Sequence, residues 1–119
     1  MKDINMKIQI KNTILSATLT SNSSAAALLQ LLEKGPITIK MQDYARMEKV
    51  GSLGVDLPRN DKRFTTKPGD IVLYEGSLLV IYYEPNTWNF TYLGKIDNIR
   101  ADELREILVP ENLEMTLSK

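Results

Sequence analysis

Residues 69–97, "GDIVLYEGSLLVIYYEPNTWNFTYLGKID", carry the strongest strand pattern in the chain. Glu75-Gly76 is a turn pair between two apolar runs, which predicts a β-hairpin. Both runs are apolar at nearly every position, so we expect strands buried on both faces or strands of a closed barrel. A second turn at "EPNTW" leads into the next strand, "NFTYLGKI". The segment therefore predicts two successive hairpins.

The clearest helix is predicted upstream, in residues 20–36, "TSNSSAAALLQLLEKGP". Asn22 or Ser23 can cap its N-terminus by accepting a backbone N–H. Its middle is rich in residues that favour helices. Gly35 suits the left-handed position after a helix, and Pro36 prevents continuation. The apolar side of this helix is wide, which predicts packing against a sheet.

Four flanking segments complete the pattern of elements. Residues 6–20, "MKIQIKNTILSATLT", predict two short strands, and residues 36–44, "PITIKMQDY", alternate as a strand does. Residues 100–108, "RADELREIL", predict a short second helix that Pro110 ends. "LEMTLS" alternates again and predicts the last strand.

The connection over residues 45–70 contains several glycines, prolines and turn residues. We expect a long, ordered connection with short extended pieces. Together the elements predict a mainly β fold, a closed antiparallel β-barrel of about eight strands with two helices. A chain of 119 residues suits one compact domain, so residues 1–119 are expected to form a single domain.

The composition excludes several classes of function. Lys plus Arg and Asp plus Glu each total 15, and this zero net charge argues against capture of nucleic acid or an anionic membrane. The absence of cysteine and histidine excludes disulfides, a thiolate nucleophile and a zinc site of the Cys/His type. The spacing of an EF-hand is missing as well. We therefore expect no metal and no cofactor.

Two features of the sequence bear on the location of the protein. No stretch approaches the ~20 apolar residues of a membrane helix. The N-terminus, "MKDINMKIQI", has no signal peptide, which predicts a cytoplasmic protein as it stands. A leader removed earlier would instead imply a secreted or cell-envelope protein. The pattern predicts no particular oligomeric state.

Two segments, residues 69–97 and "EKVGSLGVDLPRND" at residues 48–61, carry a resemblance to a known family. With the order of the elements, they resemble the small bacterial cyclophilin-like β-barrel domains, which are mostly uncharacterised. The resemblance covers residues 6–117. It implies the cyclophilin barrel fold, and in that barrel a groove that binds peptides.

The resemblance also points to Arg46. Cyclophilins carry an arginine in a Phe-His-Arg segment after the strand that follows the first helix. The equivalent here is Tyr44-Ala45-Arg46, in which Ala45 replaces the histidine. An arginine can donate to the amide nitrogen that twists during prolyl isomerisation, so Arg46 is the candidate catalytic residue. The alternative is an exposed loop arginine that pairs with Asp43 or Glu48.

Trp88 is the only tryptophan, and it shares one strand face with Phe90 and Tyr92 if the strand is regular. Two interpretations stay open. The face belongs to the barrel core and Trp88 seals the open end, or the three rings form one wall of a ligand groove. The core interpretation is the favoured one of the two.

These observations predict a non-catalytic domain that binds a peptide or small ligand of unknown specificity. The expected ligand-binding residues are Tyr44, Arg46, Glu48, Trp88, Phe90 and Tyr92. A weak peptidyl-prolyl cis-trans isomerase is the alternative function. A single-strand nucleic-acid binder, as other small barrels are, is disfavoured by the zero net charge.

Overall fold

The computed structural model describes residues 4–119, in which nine strands and two helices occur. In chain order the elements are β1 (Ile4–Ile10), β2 (Thr13–Leu19), α1 (Ser23–Glu33), β3 (Ile37–Tyr44), β4 (Glu48–Ser52), β5 (Lys62–Thr65), β6 (Asp70–Tyr74), β7 (Leu78–Tyr82), β8 (Thr87–Ile96), α2 (Ala101–Ile107) and β9 (Asn112–Ser118). Neither helix in this part of the chain is long and apolar enough to cross a membrane.

Eight of the strands form a closed antiparallel barrel. Around the barrel the order is β2-β1-β9-β3-β4-β7-β6-β8, and β8 pairs with β2 to complete the circuit. β5 lies outside this circuit, where it pairs with the first part of β8. The predicted mainly β fold, a closed barrel of about eight strands with two helices, is confirmed.

The barrel interior is filled by aliphatic side chains from alternate strand positions and from α1. Leu28 and Leu32 of α1 are buried in this core. The helix begins where the sequence predicts, because the Asn22 side chain accepts a hydrogen bond from the Ala25 backbone N–H at 2.8 Å. The apolar side of α1 therefore packs against the barrel, as expected.

The long connection after β4 is held in place by a polar network. The Asn60 backbone N–H donates to Thr91 Oγ1 at 2.8 Å, and Thr91 Oγ1 donates to Asp61 Oδ1 at 2.6 Å. Asn60 Nδ2 also donates to Ser24 Oγ on α1 at 2.8 Å. These bonds tie the connection to β8 and to α1, which explains how a segment with little regular structure stays ordered.

Closure of the barrel depends on a glycine in β8. Gly94 lies opposite Leu19 of β2, and a methyl group there would overlap the Thr18 carbonyl oxygen and lie 2.9 Å from Leu19 Cα. Because both obstacles are backbone, they cannot move aside without opening the β2–β8 pairing.

Gly94→Ala should therefore lower the free energy of unfolding by about 1–3 kcal/mol, the usual range for overpacking. Urea denaturation followed by circular dichroism measures this loss. Lys95→Ala is the matched control, since Lys95 is exposed on the same strand and its replacement should change stability by less than about 0.5 kcal/mol. Equal midpoints for the two variants would contradict this account of closure.

Candidate functional site: an aromatic groove outside the barrel

Strands β6, β7 and β8 bury side chains on both of their faces. The inward side chains belong to the barrel core, among them Ile71, Leu73, Leu79, Ile81 and Leu93. The outward side chains Val72, Val80, Tyr82 and Phe90 form a second buried group, which we call the outer cluster. Burial on both faces explains why these strands are apolar at nearly every position.

Phe90 is the centre of the outer cluster and is only 2% exposed. Its ring centroid lies 5.4 Å from that of Tyr82, 5.6 Å from that of Phe64 and 6.3 Å from that of Tyr74. All three pairs are tilted or edge-to-face, which is the arrangement aromatic rings prefer. Phe64 comes from β5, so β5 covers one side of the outer cluster.

A groove of about 440 Å³ opens over the outer cluster. Its walls and floor come from β4, β6, β7, β8 and the end of β3, and are formed by Tyr44, Met47, Glu48, Val50, Tyr74, Leu78, Tyr82, Asn86, Trp88 and Phe90. Tyr44 is 60% exposed and Trp88 is 50% exposed, whereas Phe90 and Tyr82 are buried beneath them. Accessible aromatic rings around an apolar floor are typical of ligand sites. We call this feature the Trp88 groove.

Trp88 lies at the wall of this groove and not in the barrel. The favoured expectation that it seals the open end of the barrel is therefore wrong. Trp88 is paired with Phe64 of β5 outside the barrel circuit, and the Arg63 guanidinium carbon lies 5.9 Å from the Trp88 ring centroid. β5 pairs with the first part of β8 outside the barrel. Trp88 lies in this paired part of β8 and remains half-exposed.

Glu48 is the polar residue of most interest in the groove. It starts β4 opposite Tyr82 of β7, and it is 8% exposed. Burial raises the pKa of Glu48, the adjacent Tyr82 hydroxyl opposes that rise, and the negative charge of Asp43 adds to it. Asn86 Nδ2 donates to the Tyr82 hydroxyl at 3.1 Å, which fixes that hydroxyl beside the carboxyl.

The structure brings together four of the six predicted site residues and places the other two elsewhere. Tyr44, Glu48, Trp88 and Phe90 line the Trp88 groove. Arg46 instead borders a depression with Asp43, Tyr83 and Arg105, and Tyr92 borders one beside β5.

The position of Arg46 follows from the turn between β3 and β4. Ala45 and Arg46 both have positive φ, 54° and 56°, in the left-handed region. The Arg46 backbone N–H donates to Asp43 Oδ2 at 3.1 Å, and the Met47 N–H donates to the Tyr44 carbonyl at 3.1 Å. Of the ion pairs among residues 4–119, none involves the Arg46 side chain.

An ion pair between a fully buried lysine and a partly buried aspartate lies beside this turn. Lys49 is fully buried, and its Nζ lies 3.1 Å from Asp43 Oδ1 and 3.3 Å from the Glu111 carbonyl oxygen. The Tyr83 hydroxyl also donates to Asp43 Oδ1. Burial alone would raise the pKa of Asp43, but the bonds from Tyr83 and Lys49 outweigh it and hold that pKa below 3.8. This network fixes the end of β3 next to the groove.

A larger depression of about 730 Å³ lies elsewhere, on the outer face of β1, β3 and β9. Its lining is mostly polar and includes Gln9, Lys40, Gln42, Glu114 and Thr116. It has no aromatic wall and no buried carboxyl group, so we regard the Trp88 groove as the better candidate. Within residues 4–119, no three acidic side chains are grouped so that they could hold a metal ion.

A family match spans nearly the whole barrel. The model of the cyclophilin-like family matches residues 8–118. This chain belongs to the cyclophilin-like family. The match includes every strand from β2 to β9 and all of the Trp88 groove, in agreement with the resemblance carried by residues 48–61 and 69–97.

A solved structure has a similar fold. It is titled "Structure of McbB in complex with tryptophan", and it aligns with a TM-score of 0.63 at 14% sequence identity. The alignment covers 96% of this chain and 44% of McbB, so the cyclophilin-like chain spans less than half the length of that protein. At this identity the likeness shows the fold alone. No curated protein sequence matches the chain significantly.

Sequence reasoning missed about half of the groove. Tyr74, Leu78 and Tyr82 face outward in strands where inward and outward positions are equally apolar, so alternation gave no signal. Val50 lies in β4, a segment that the sequence pattern assigned to the long connection. The sequence pattern indicated Asn86 only as a turn residue. It gave no signal that the Asn86 amide positions the Tyr82 hydroxyl.

Proposed function

We propose that this cyclophilin-like domain binds a peptide or a small organic ligand in the Trp88 groove and does not transform it. The observation that carries the proposal is the pair of exposed rings, Tyr44 and Trp88, beside a buried aromatic floor. Exposing such large apolar rings to water is unfavourable, so a ligand that covers them gains binding free energy.

Two features support binding over catalysis. The chain has no histidine or cysteine, which removes the commonest general base and nucleophile. Arg46, the candidate donor for prolyl isomerisation, borders a neighbouring depression and not the groove. A side chain that donates to the twisting amide has to reach the bound peptide. Because Arg46 lies outside the groove, we assign no catalytic role to the groove.

The test uses the single tryptophan as a reporter. Xaa-Pro tetrapeptides without tryptophan are titrated while Trp88 fluorescence is recorded, and exchange spectroscopy follows the cis and trans signals of each peptide. We expect a saturable blue shift and no acceleration of exchange. Accelerated exchange would make the domain an isomerase, contrary to the proposal. Tryptophan, the ligand in the McbB structure, is tested in parallel by amide NMR.

Trp88→Ala should weaken the binding of any ligand found in this way by about tenfold or more, because aromatic anchors dominate binding free energies. Stability should change little, since Trp88 is 50% exposed. Isothermal titration calorimetry measures the affinity, and Ile14→Ala is the matched control, an exposed apolar residue on β2 that does not line the groove. Equal affinity in the Trp88→Ala and Ile14→Ala variants would count against the groove.

A further inference from the structure

The Trp88 groove contains one acidic side chain and no basic one. Glu48 is the only charged residue in its lining. Of the ion pairs among residues 4–119, none includes Glu48. A buried carboxylate is usually paired with a cation or satisfied by several hydrogen bonds. When Glu48 is ionised, its carboxylate interacts with the Tyr82 hydroxyl but with no cation among the described residues.

The surroundings of Glu48 supply no compensating positive charge. The nearby charge that acts on Glu48 is that of Asp43, which is also negative, and both burial and this charge raise the pKa of Glu48. A cation bound beside the carboxylate would offset both effects. Lys49 is next in sequence, but its side chain points to the other face of β4, where it is buried against Asp43. Arg63 contacts Trp88 but borders the depression beside β5.

The rings around Glu48 favour the same kind of ligand. Five aromatic side chains line the groove, namely Tyr44, Tyr74, Tyr82, Trp88 and Phe90. The face of an aromatic ring carries partial negative charge and attracts cations, most strongly when water is excluded. A cation entering the groove would thus be stabilised both by the carboxylate and by the rings.

We propose that the ligand of the Trp88 groove is a primary ammonium on an apolar body, with the ammonium against Glu48 and the apolar body against Tyr44 and Trp88. This inference rests on the proposed function and specifies its ligand class. An anionic ligand would be repelled by the Glu48 carboxylate, and a neutral apolar ligand would leave that carboxylate without a cationic partner. Either one is thus a poorer match than an ammonium.

The first test compares two probes that differ in charge and share their shape. 2-Phenylethylammonium and 2-phenylethanol are titrated near neutral pH and followed by Trp88 fluorescence. We expect the ammonium to bind about tenfold more tightly. If both bind with equal affinity, the ligand class is wrong and the groove remains a binding site. If neither these probes nor the peptides bind, the proposed function fails as well.

A second test removes the charge from the protein. Glu48→Gln keeps the shape of the side chain, so the affinity ratio of the two probes should fall to within about twofold. Glu114→Gln makes the same change in the polar depression on β9, and there the ratio should stay at its wild-type value. An unchanged ratio in Glu48→Gln would overturn the role of Glu48.

The ammonium has two natural sources, a free amine or the N-terminus of a peptide. Phe-Ala-Ala-amide with a free N-terminus and the same peptide with an acetylated N-terminus distinguish them. Tight binding of the free form alone identifies a peptide N-terminus as an acceptable source. Binding of 2-phenylethylammonium without binding of either peptide identifies a small amine. Preference for the acetylated peptide would contradict the inference.

Discussion

Replacing Asp43 with alanine should lower the free energy of unfolding by about 3–5 kcal/mol, the range observed when one partner of a buried ion pair is removed. The Lys49 side chain is fully buried, and without Asp43 its ammonium would keep only the Glu111 carbonyl as an acceptor. Urea denaturation followed by circular dichroism measures the loss.

Two variants test the cause of this effect. Asp56→Ala removes an exposed aspartate from the long connection and should change stability by less than about 0.5 kcal/mol. Lys49→Met combined with Asp43→Ala should recover most of the loss, because no buried charge then remains unpaired. A double variant as unstable as Asp43→Ala alone would show that the ion pair is not the source of the effect.

The same ion pair predicts a dependence of stability on pH. The pKa of Asp43 is lower in the folded protein than its usual value of 3.8. The contribution of Asp43 to stability is therefore complete above this usual value, and it is lost as the pH falls through the folded pKa. The difference in unfolding free energy between wild type and Asp43→Asn should shrink in strong acid. A difference that grows as the pH falls would contradict this.

Phe90→Ala should cost about 3–5 kcal/mol of stability, as is usual when a buried phenylalanine is truncated. Phe90 is 2% exposed and contacts the rings of Phe64, Tyr74 and Tyr82, so its removal leaves a cavity at the centre of the outer cluster. Loss of this floor should also abolish ligand binding in the Trp88 groove. Urea denaturation and calorimetry measure the two effects.

Tyr44→Ala separates the stability effect from the binding effect. Tyr44 lines the same groove but is 60% exposed, so its replacement should weaken binding while changing stability by less than about 0.5 kcal/mol. If Phe90→Ala were no more destabilising than Tyr44→Ala, the outer cluster would not be a packed second core.

Local signals predicted most of the elements correctly. The Asn22 cap and the Gly35-Pro36 stop defined α1, since capping and chain reversal depend on a few adjacent residues. The hairpin at Glu75-Gly76 was predictable for the same reason, and both residues have the positive φ, 52° and 80°, that such a tight turn needs. These features are local in sequence, and no distant contact overrides them.

The faces of β7 and β8 were not predictable. Alternation reveals the inward face only when the outward face meets water, and here β5 and the aromatic rings cover the outward face. The expectation that Trp88 seals the barrel was wrong for this reason. A four-residue strand in a long connection, pairing with a distant strand, decides which aromatic residues lie outside the barrel.

The charged part of the groove also depends on long-range pairing. Glu48 meets Tyr82 because β4 pairs with β7, and no local signal gives that register. Asn86 reaches the Tyr82 hydroxyl only after the turn before β8 has formed. Tyr44 and Glu48 are far in sequence from Trp88 and Phe90, and the reason these four residues converge on one groove is visible only in the barrel.

The central claim is that the Trp88 groove binds the ligand, and amide NMR titration tests it most directly. The probes are the Xaa-Pro tetrapeptides, tryptophan and 2-phenylethylammonium, each added to the isotope-labelled chain. We predict saturable shifts of the Trp88 indole N–H and of the Tyr44, Glu48 and Tyr82 amides for at least one probe. Shifts confined to the polar depression around Gln9, Lys40 and Thr116, or no saturable shift with any probe, would contradict the claim.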